Sequence, residues 1–220
     1  MIKYKILSLL LYVSGLLAFI LIAAVLTISG FIFLPLFYKL VKYCTHFMMS
    51  ALLVVPKIKG EFPSDGTYII MMNHSSFLDV FIFPLIPRGA WTGVTAIENF
   101  KIPVFSLLIR RIKAIPIDRK NSSSAIKSIK KAEDVLKRGI HIGILPEGTR
   151  TLDGKIKPLK KGGFHMAINT NTPIIPVGVS GAFEFKPKNR WWMKPGPVTI
   201  NIGNPIPVDD YIKLGVGGLS

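Results

Sequence analysis

A histidine and a carboxylate, His74 and Asp79, stand five positions apart in the run NHSSFLD, which follows the apolar segment Tyr68–Met72. An imidazole beside a carboxylate is a general base, because the carboxylate fixes the ring tautomer and stabilises the imidazolium that forms. In one continuous α-helix, positions i and i+5 lie about 140° apart around the axis. The two side chains therefore meet only if His74 lies in a strand-to-helix turn and Asp79 lies in the first turn of the next helix.

The same run has a simpler interpretation. Ser76 and Asp79 match the Ser-x-x-Asp pattern of helix N-termini, in which the carboxylate satisfies free backbone N–H groups and takes no part in chemistry. The spacing alone favours this capping role. A second motif further along the chain favours the catalytic interpretation over the capping role.

That second motif is the run IGILPEGTR at residues 142–150, an apolar stretch that ends in a turn carrying one anion, Glu147, and one cation, Arg150. Taken alone, it is an ordinary turn at the end of a strand, since proline and glycine mark turns in most proteins. Its meaning comes from its position relative to the other motifs of the chain.

Four short motifs follow one another in an order that is typical of one protein family. They are His74-x4-Asp79, AIPIDR at residues 114–119, PEGTR at residues 146–150 and IPVGVSG at residues 175–181. With these residues in this order, the chain resembles the glycerolipid acyltransferase family, in particular its bacterial members that act on 1-acyl-sn-glycerol 3-phosphate. Four ordered motifs are far more specific than any one of them.

The resemblance implies a membrane-bound enzyme of phospholipid biosynthesis, which moves a fatty acyl group from a thioester to the free hydroxyl of lysophosphatidate and gives phosphatidate. His74 would take the hydroxyl proton, and Asp79 would orient the ring. Both substrates bind together, so no covalent acyl-enzyme forms. The thioester is carried by acyl-carrier protein or by coenzyme A, and neither a cofactor nor a metal is expected. Backbone amides of the Asn73–Ser76 turn or of Gly148 would stabilise the oxyanion.

By the same resemblance, the acceptor binds to Glu147, Gly148, Thr149 and Arg150, together with Arg119 from the second motif. A guanidinium group holds a phosphate through two parallel hydrogen bonds, so the two arginines are the predicted phosphate ligands. Glu147 is expected to hold a basic side chain or a glycerol hydroxyl rather than to transfer a proton.

One feature of the family is missing. Many members carry a lysine just before the glutamate at the start of the second block, but here Glu98 follows Ala96 and Ile97. If that lysine helps to hold phosphate, either Lys101 or Lys113 takes its place, or the acceptor is another lysolipid, such as a lyso-aminolipid. Lys113 also stands where a glycine often precedes the block.

A basic segment, Lys160-Lys161-Gly162-Gly163, opens a predicted helix. The N-terminus of a helix attracts anions, so this segment is a candidate for holding the phosphopantetheine of the acyl donor. The histidine within the helix, at position 165, and the histidine at position 141 that opens an apolar run are both predicted to be structural.

After residue 57, short apolar runs alternate with helical segments, which predicts an α/β domain with a largely parallel central sheet flanked by helices. Strands are predicted at Tyr68–Met72, Thr92–Ala96, Ala114–Ile117, His141–Leu145, Ile174–Val179 and Val198–Ile202. Helices are predicted at Phe77–Leu85, Pro103–Arg110, Ser123–Lys137 and Lys160–Asn169. Sites in such sheets lie beyond the carboxyl ends of the strands, which is where the first and third motifs fall.

The N-terminal part, residues 1–56, is predicted to be a helical membrane element, and residues 57–220 form the catalytic domain. No charged residue occurs from Ile6 to Tyr38, a stretch longer than the ~20 residues that cross a bilayer. Lysines flank this stretch on both sides, so the charges give no inside–outside bias. A hairpin with both ends on the cytoplasmic side of the inner membrane fits better than a single crossing, and Gly15, Gly30 and Pro35 are candidate bends.

The chain has 28 Lys and Arg residues against 12 Asp and Glu residues, a net charge of +16. Such a charge attracts nucleic acid or an anionic membrane. The basic residues are spread out and no nucleic-acid-binding motif accompanies them, so an anionic phospholipid surface is the expected partner and nucleic acid is not. The single cysteine, Cys44, excludes an internal disulfide.

Two other classes of protein compete with the acyltransferase interpretation. The run GVSGA around Ser180 approaches the nucleophile elbow of serine esterases and lipases, but no histidine follows it, as that fold requires. A non-catalytic membrane scaffold is the second alternative. It would tolerate loss of His74 and Asp79, and the intact set of motifs argues against it.

Overall fold

The structure is a computed structural model that describes residues 1–118 and 123–211. It begins with a helical hairpin of two helices, α1 (Ile2–Ile32) and α2 (Leu34–Ala51). The break is the single extended residue Phe33, and Pro35 lies in the first turn of α2, where its missing N–H costs no hydrogen bond. α1 continues through Gly15 without a break. A Cβ added at Gly15 would lie 3.0 Å from Cδ2 of Leu52, so the glycine lets the two helices approach.

The α/β part of the chain contains one seven-stranded sheet in the order β1-β7-β6-β2-β5-β3-β4. All neighbouring strands are parallel except β6 and β7. The strands are β1 (Val55–Lys59), β2 (Ile69–Met72), β3 (Trp91–Ala96), β4 (Ile115–Ile117), β5 (His141–Ile144), β6 (Ile174–Ser180) and β7 (Pro197–Ile202). The predicted α/β class with a largely parallel sheet is thus confirmed.

The sequence did not predict β1. This edge strand is mostly exposed and contains Pro56, Lys57 and Lys59, so it has neither an apolar run nor a regular alternation. Proline and lysine are typical of edge strands, where one side of the backbone faces solvent. The boundary predicted after residue 56 falls inside this strand.

The shorter helices are α3 (Asp79–Ile82), α4 (Phe105–Arg111), α5 (Ser123–Leu136), α6 (Gly162–Thr170) and α7 (Ala182–Phe185), with 3₁₀ helices at Phe83–Leu85 and Ile97–Lys101. The helix predicted at Phe77–Leu85 is therefore shorter than expected. It becomes a 3₁₀ turn at Pro84, which lacks the N–H that a continuing α-helix needs.

Apolar side chains cover both faces of the sheet. In β2, Ile70 and Met72 belong to a core that includes the hairpin, whereas Ile69 and Met71 face the core beneath α5 and α6. Successive residues of a strand point to opposite faces, so β2 is buried on both sides. The hairpin therefore forms one wall of the domain core.

Candidate active site

The imidazole of His74 and the carboxylate of Asp79 are in contact, with 2.7 Å between Nδ1 and Oδ2. His74 lies in the turn after β2, and Asp79 is the first residue of α3. The Asp79 side chain is 1% exposed and the His74 side chain is 20% exposed. Because Nδ1 is bound to Asp79, Nε2 is the ring nitrogen that remains for a substrate, which is the geometry of a general base.

Asp79 also holds the turn that carries the histidine. Its Oδ2 accepts hydrogen bonds from the backbone N–H groups of Ser75 and Ser76, at 2.9 and 3.1 Å. The capping interpretation is thus half right. Ser76 does not cap α3, because its hydroxyl donates to the carbonyl of Lys186 at 2.9 Å. The carboxylate therefore combines a local structural contact with its contact to His74.

The loop after β5 lies against the same turn. β2 and β5 are parallel neighbours, with Met71 paired to Ile144, so the segments that follow their carboxyl ends meet. Oε1 of Glu147 accepts a hydrogen bond from the backbone N–H of His74 at 2.6 Å. The backbone N–H of Thr151 donates to the carbonyl of His74 at 2.9 Å. The third motif is thus bound directly to the first.

A cavity of about 690 Å³ opens beside His74 and extends under the helical hairpin. Its lining combines polar side chains, among them His74 and Arg150, with apolar ones, among them Ala23 of α1 and Cys44 of α2. The volume lies in the range of ligand sites, which combine an apolar lining with a few polar groups.

The polar part of the cavity is basic. Arg150 and Lys160 both line it, and the Lys160 side chain crosses Gly148 so closely that an added Cβ would lie 2.9 Å from Cε. Gly148 also has a φ of +70°, a conformation that favours glycine. Burial, and then the charges of Arg150 and Arg190, lower the pKa of Lys186. This concentration of positive charge suits an anionic ligand.

The residues predicted to bind the acceptor differ in whether they line the cavity. Gly148 and Arg150 line the cavity, and Thr149 lies between them, partly exposed. Glu147 is buried, at 3% exposure, with its carboxylate on backbone N–H groups. Arg119 lies outside the described residues, so its role stays a prediction.

The second cation of this lining, Lys160, was not assigned to the acceptor from the sequence. Lys160 lines the cavity, whereas Lys101 and Lys113, the predicted substitutes for the missing family lysine, are not among the lining residues. The lysine–glycine helix start was the sequence signal for Lys160, although it suggested the acyl donor. Lys113 has a φ of +57°, which explains why a glycine suits its position.

Four of the backbone amides expected to stabilise an oxyanion already donate to other groups of the protein. The N–H groups of Ser75 and Ser76 donate to Asp79, and that of His74 donates to Glu147. The Gly148 N–H donates to the carbonyl of Leu145 at 2.9 Å. These hydrogen bonds hold the two loops in place.

His141 is buried and both of its ring nitrogens have backbone partners, which fits the structural role predicted for it. The residue is 6% exposed, Nδ1 accepts a hydrogen bond from the Tyr68 N–H at 3.2 Å, and Nε2 lies 2.9 Å from the carbonyl of Arg88. Burial lowers the pKa of His141, because desolvation disfavours the charged ring. Within residues 1–118 and 123–211, no group of three His, Cys, Asp or Glu side chains is placed to hold a metal ion.

The fold and the site agree with one family. Residues 55–180 match the family model described as Acyltransferase, and the chain belongs to this family. A crystal structure of the 1-acyl-sn-glycerophosphate acyltransferase PlsC from Thermotoga maritima has the same fold, with a TM-score of 0.81 and 24% identity over 94% of this chain and 88% of that one.

Two plant proteins, each named 1-acyl-sn-glycerol-3-phosphate acyltransferase, are similar in sequence. That of Cocos nucifera is 37% identical over 70% of this chain, and that of Limnanthes douglasii is 34% identical over 72%. This chain spans 50% and 59% of their respective lengths. Since these relatives are plant proteins and the structural relative is bacterial, the bacterial origin suggested by the motifs stays a prediction.

Proposed function

We propose that this protein transfers a fatty acyl group from an acyl thioester to the free hydroxyl of lysophosphatidate and so produces phosphatidate in phospholipid biosynthesis. The observation that carries the proposal is the His74–Asp79 pair in the lining of a cavity that combines two cations, Arg150 and Lys160, with a largely apolar surface. Membership in the acyltransferase family and the names of the plant relatives support the same reaction.

In the proposed mechanism, Nε2 of His74 takes the proton of the acceptor hydroxyl while its oxygen attacks the thioester carbonyl. Asp79 keeps the proton on Nδ1 and stabilises the imidazolium that forms. The tetrahedral intermediate expels the thiolate, which receives the proton from the imidazolium. The products are the ester and the free thiol of acyl-carrier protein or coenzyme A, and His74 returns to its neutral form.

The apolar part of the cavity fits the fatty acyl chain. It lies between the sheet and the hairpin, and its walls include Phe19 and Ala23 of α1 and Cys44 of α2. An acyl chain bound there is removed from water, and each buried CH₂ contributes about 0.8 kcal/mol. A larger side chain at Ala23 or Cys44 is expected to shorten the acyl chain that the enzyme prefers.

The acceptor phosphate is proposed to bind to Arg150 and Lys160. Both cations line the cavity, and neither side chain has a carboxylate partner among the salt bridges of the described residues. Arg119 is retained as a proposed third ligand. A lyso-aminolipid acceptor would have no phosphomonoester to engage these cations, so the basic lining supports lysophosphatidate.

The helical hairpin is proposed to attach the enzyme to the membrane without crossing it. α1 is the one described helix that is long and apolar enough to span a bilayer by length and composition. Both of its ends contact the catalytic domain: Met193 N–H donates to Ser8 Oγ at 2.7 Å, and Arg111 Nε donates to the carbonyl of Gly30. A helix of 31 residues held at both ends by one domain lies along that domain.

This arrangement supports a location on the cytoplasmic side of the inner membrane, since lysines flank the apolar run at both ends. The net charge of +16 suits an anionic phospholipid surface and either acyl donor, because both donors are anionic.

An acyl-transfer assay tests the proposed reaction. The purified full chain is incubated in vesicles with labelled acyl-carrier protein or coenzyme A thioesters and with lysophosphatidate, a zwitterionic lysolipid or a lyso-aminolipid. Phosphatidate is the expected product, formed fastest from lysophosphatidate. Faster acylation of a lysolipid without a terminal phosphate would contradict the substrate, and acyl release to water alone would favour an esterase.

A further inference from the structure

Glu147 occupies an unusual place in the site. Its residue is 3% exposed, although it directly precedes Gly148, which lines the cavity. A buried carboxylate is costly unless its oxygens are hydrogen-bonded. Here Oε1 accepts the backbone N–H of His74 at 2.6 Å, and Oε2 accepts the backbone N–H of Lys157 at 3.0 Å. Each oxygen therefore has a backbone donor of its own.

The segment that follows Glu147 also binds the backbone of His74. The carbonyl of His74 accepts a hydrogen bond from the Thr151 N–H at 2.9 Å. Both backbone polar groups of the histidine are thus held by residues 147–151, while Asp79 holds its ring through Nδ1. The backbone contacts fix where the side chain begins, and the Asp79 contact fixes how the ring is turned.

We propose that Glu147 is a positioning residue, which clamps the backbone of His74 so that Nε2 meets the acceptor hydroxyl, and that it is not a ligand of the acceptor. The proposal rests on the function assigned above to His74. It replaces the role expected from the sequence, in which Glu147 binds a basic side chain or a glycerol hydroxyl. Arg150, which lines the cavity, remains the acceptor ligand of this motif.

The two roles make different kinetic predictions. A ligand of the acceptor contributes to binding, so its loss raises KM for lysophosphatidate. A positioning residue acts on the geometry of proton transfer, and a displacement of a reacting group by 1 Å lowers the rate by about 100-fold. Loss of Glu147 is therefore expected to lower kcat by about 100-fold and to leave KM nearly unchanged.

The experiment compares Glu147→Gln, Glu147→Ala and the wild-type full chain in vesicles. Glutamine keeps one acceptor oxygen but directs an N–H toward the second backbone donor, so its kcat is expected to lie between the other two. Glu184→Ala removes an exposed carboxylate from α7 and is the matched control for the change in charge. It is expected to behave as wild type.

Hydrogen exchange of the His74 amide, measured by mass spectrometry on peptides that span residues 72–76, tests the clamp without any assay of activity. Glu147→Ala is expected to exchange this amide faster, and Glu184→Ala is not. Glu147→Leu has a similar volume but no hydrogen-bond acceptor, and it gives the same test if Glu147→Ala fails to fold. Unchanged exchange in the folded variant would overturn the clamp. A raised KM with wild-type kcat would overturn the positioning role. If lysophosphatidate is not the substrate, the exchange result still stands.

Discussion

The helical hairpin and the α/β domain differ in how far their apolar side chains are exposed. In the sheet, β2 and β5 are buried along their whole lengths. In α1, large apolar side chains face outward over most of the helix, including Leu9, Leu16 and Ile20 at 60%, 59% and 55% exposure. Large exposed apolar patches mark a contact with a partner or a membrane.

On the inner face of the hairpin, the apolar side chains are buried, as they are in the sheet. Leu11, Ala18 and Leu26 of α1 are buried in the core that also contains Ile70 of β2. One face of α1 therefore packs in the protein core, and by our proposal the opposite face contacts lipid. We therefore expect that the chemistry and the membrane attachment can be altered separately, although the cavity is lined by both regions.

The largest expected effect is on chemistry alone. His74→Ala removes the proposed base and should lower the rate of acyl transfer by roughly 10²- to 10⁴-fold, with folding and membrane attachment unchanged. Asp79→Asn should keep part of the activity, because the imidazole remains but is poorly held. Steady-state kinetics and vesicle flotation measure the two properties side by side. Rates within a few-fold of wild type in both variants would eliminate the dyad.

The converse change disrupts attachment and leaves the chemistry intact. Leu9, Leu16 and Ile20 share the outer face of α1, and their replacement by Gln should weaken membrane partitioning by at least 100-fold, since a buried Leu or Ile contributes about 1.5–3 kcal/mol. Activity on detergent-dispersed substrate should persist. The same change at the exposed Ile58 of β1 is the control. Unaltered flotation of the triple variant would contradict lipid contact.

A smaller effect is expected where the cavity meets the acceptor. Arg150→Ala should raise KM for lysophosphatidate and lower kcat/KM by about 10- to 100-fold, the loss of one charge-assisted contact. Lysine at this position should restore only part of it, because a point charge lacks the two-pronged geometry of guanidinium. Lys160→Ala should act in the same direction. An acceptor without phosphate should respond little, and equal losses for both acceptors would disprove phosphate binding.

The smallest effect concerns the stability of the domain and not its reaction. Burial lowers the pKa of His141 in the folded state below its ordinary value of 6.5, so its contribution to stability is present above that pH and is lost as the pH falls below it. Thermal unfolding should show a falling Tm between pH 7 and pH 5, by about a few degrees. His141→Asn should flatten this dependence, and an unchanged slope would contradict the assignment.

The sequence by itself determined the α/β class, most strands and the turn that joins His74 to Asp79. These features depend on local patterns, namely apolar runs of strand length and residues that end them. It also determined that the N-terminal run is apolar throughout. It missed β1, because an exposed edge strand with Pro56 and two lysines carries no such pattern.

Only the tertiary structure decided what the motif residues contact. Glu147 belongs to the loop after β5, and its partners His74 and Lys157 lie in other segments, so no spacing in the sequence reveals that its carboxylate binds backbone N–H groups. Lys160 likewise reaches the cavity only because α6 begins beside the loop at Gly148. Local patterns specify which elements form, whereas contacts between distant segments depend on the order of strands in the sheet.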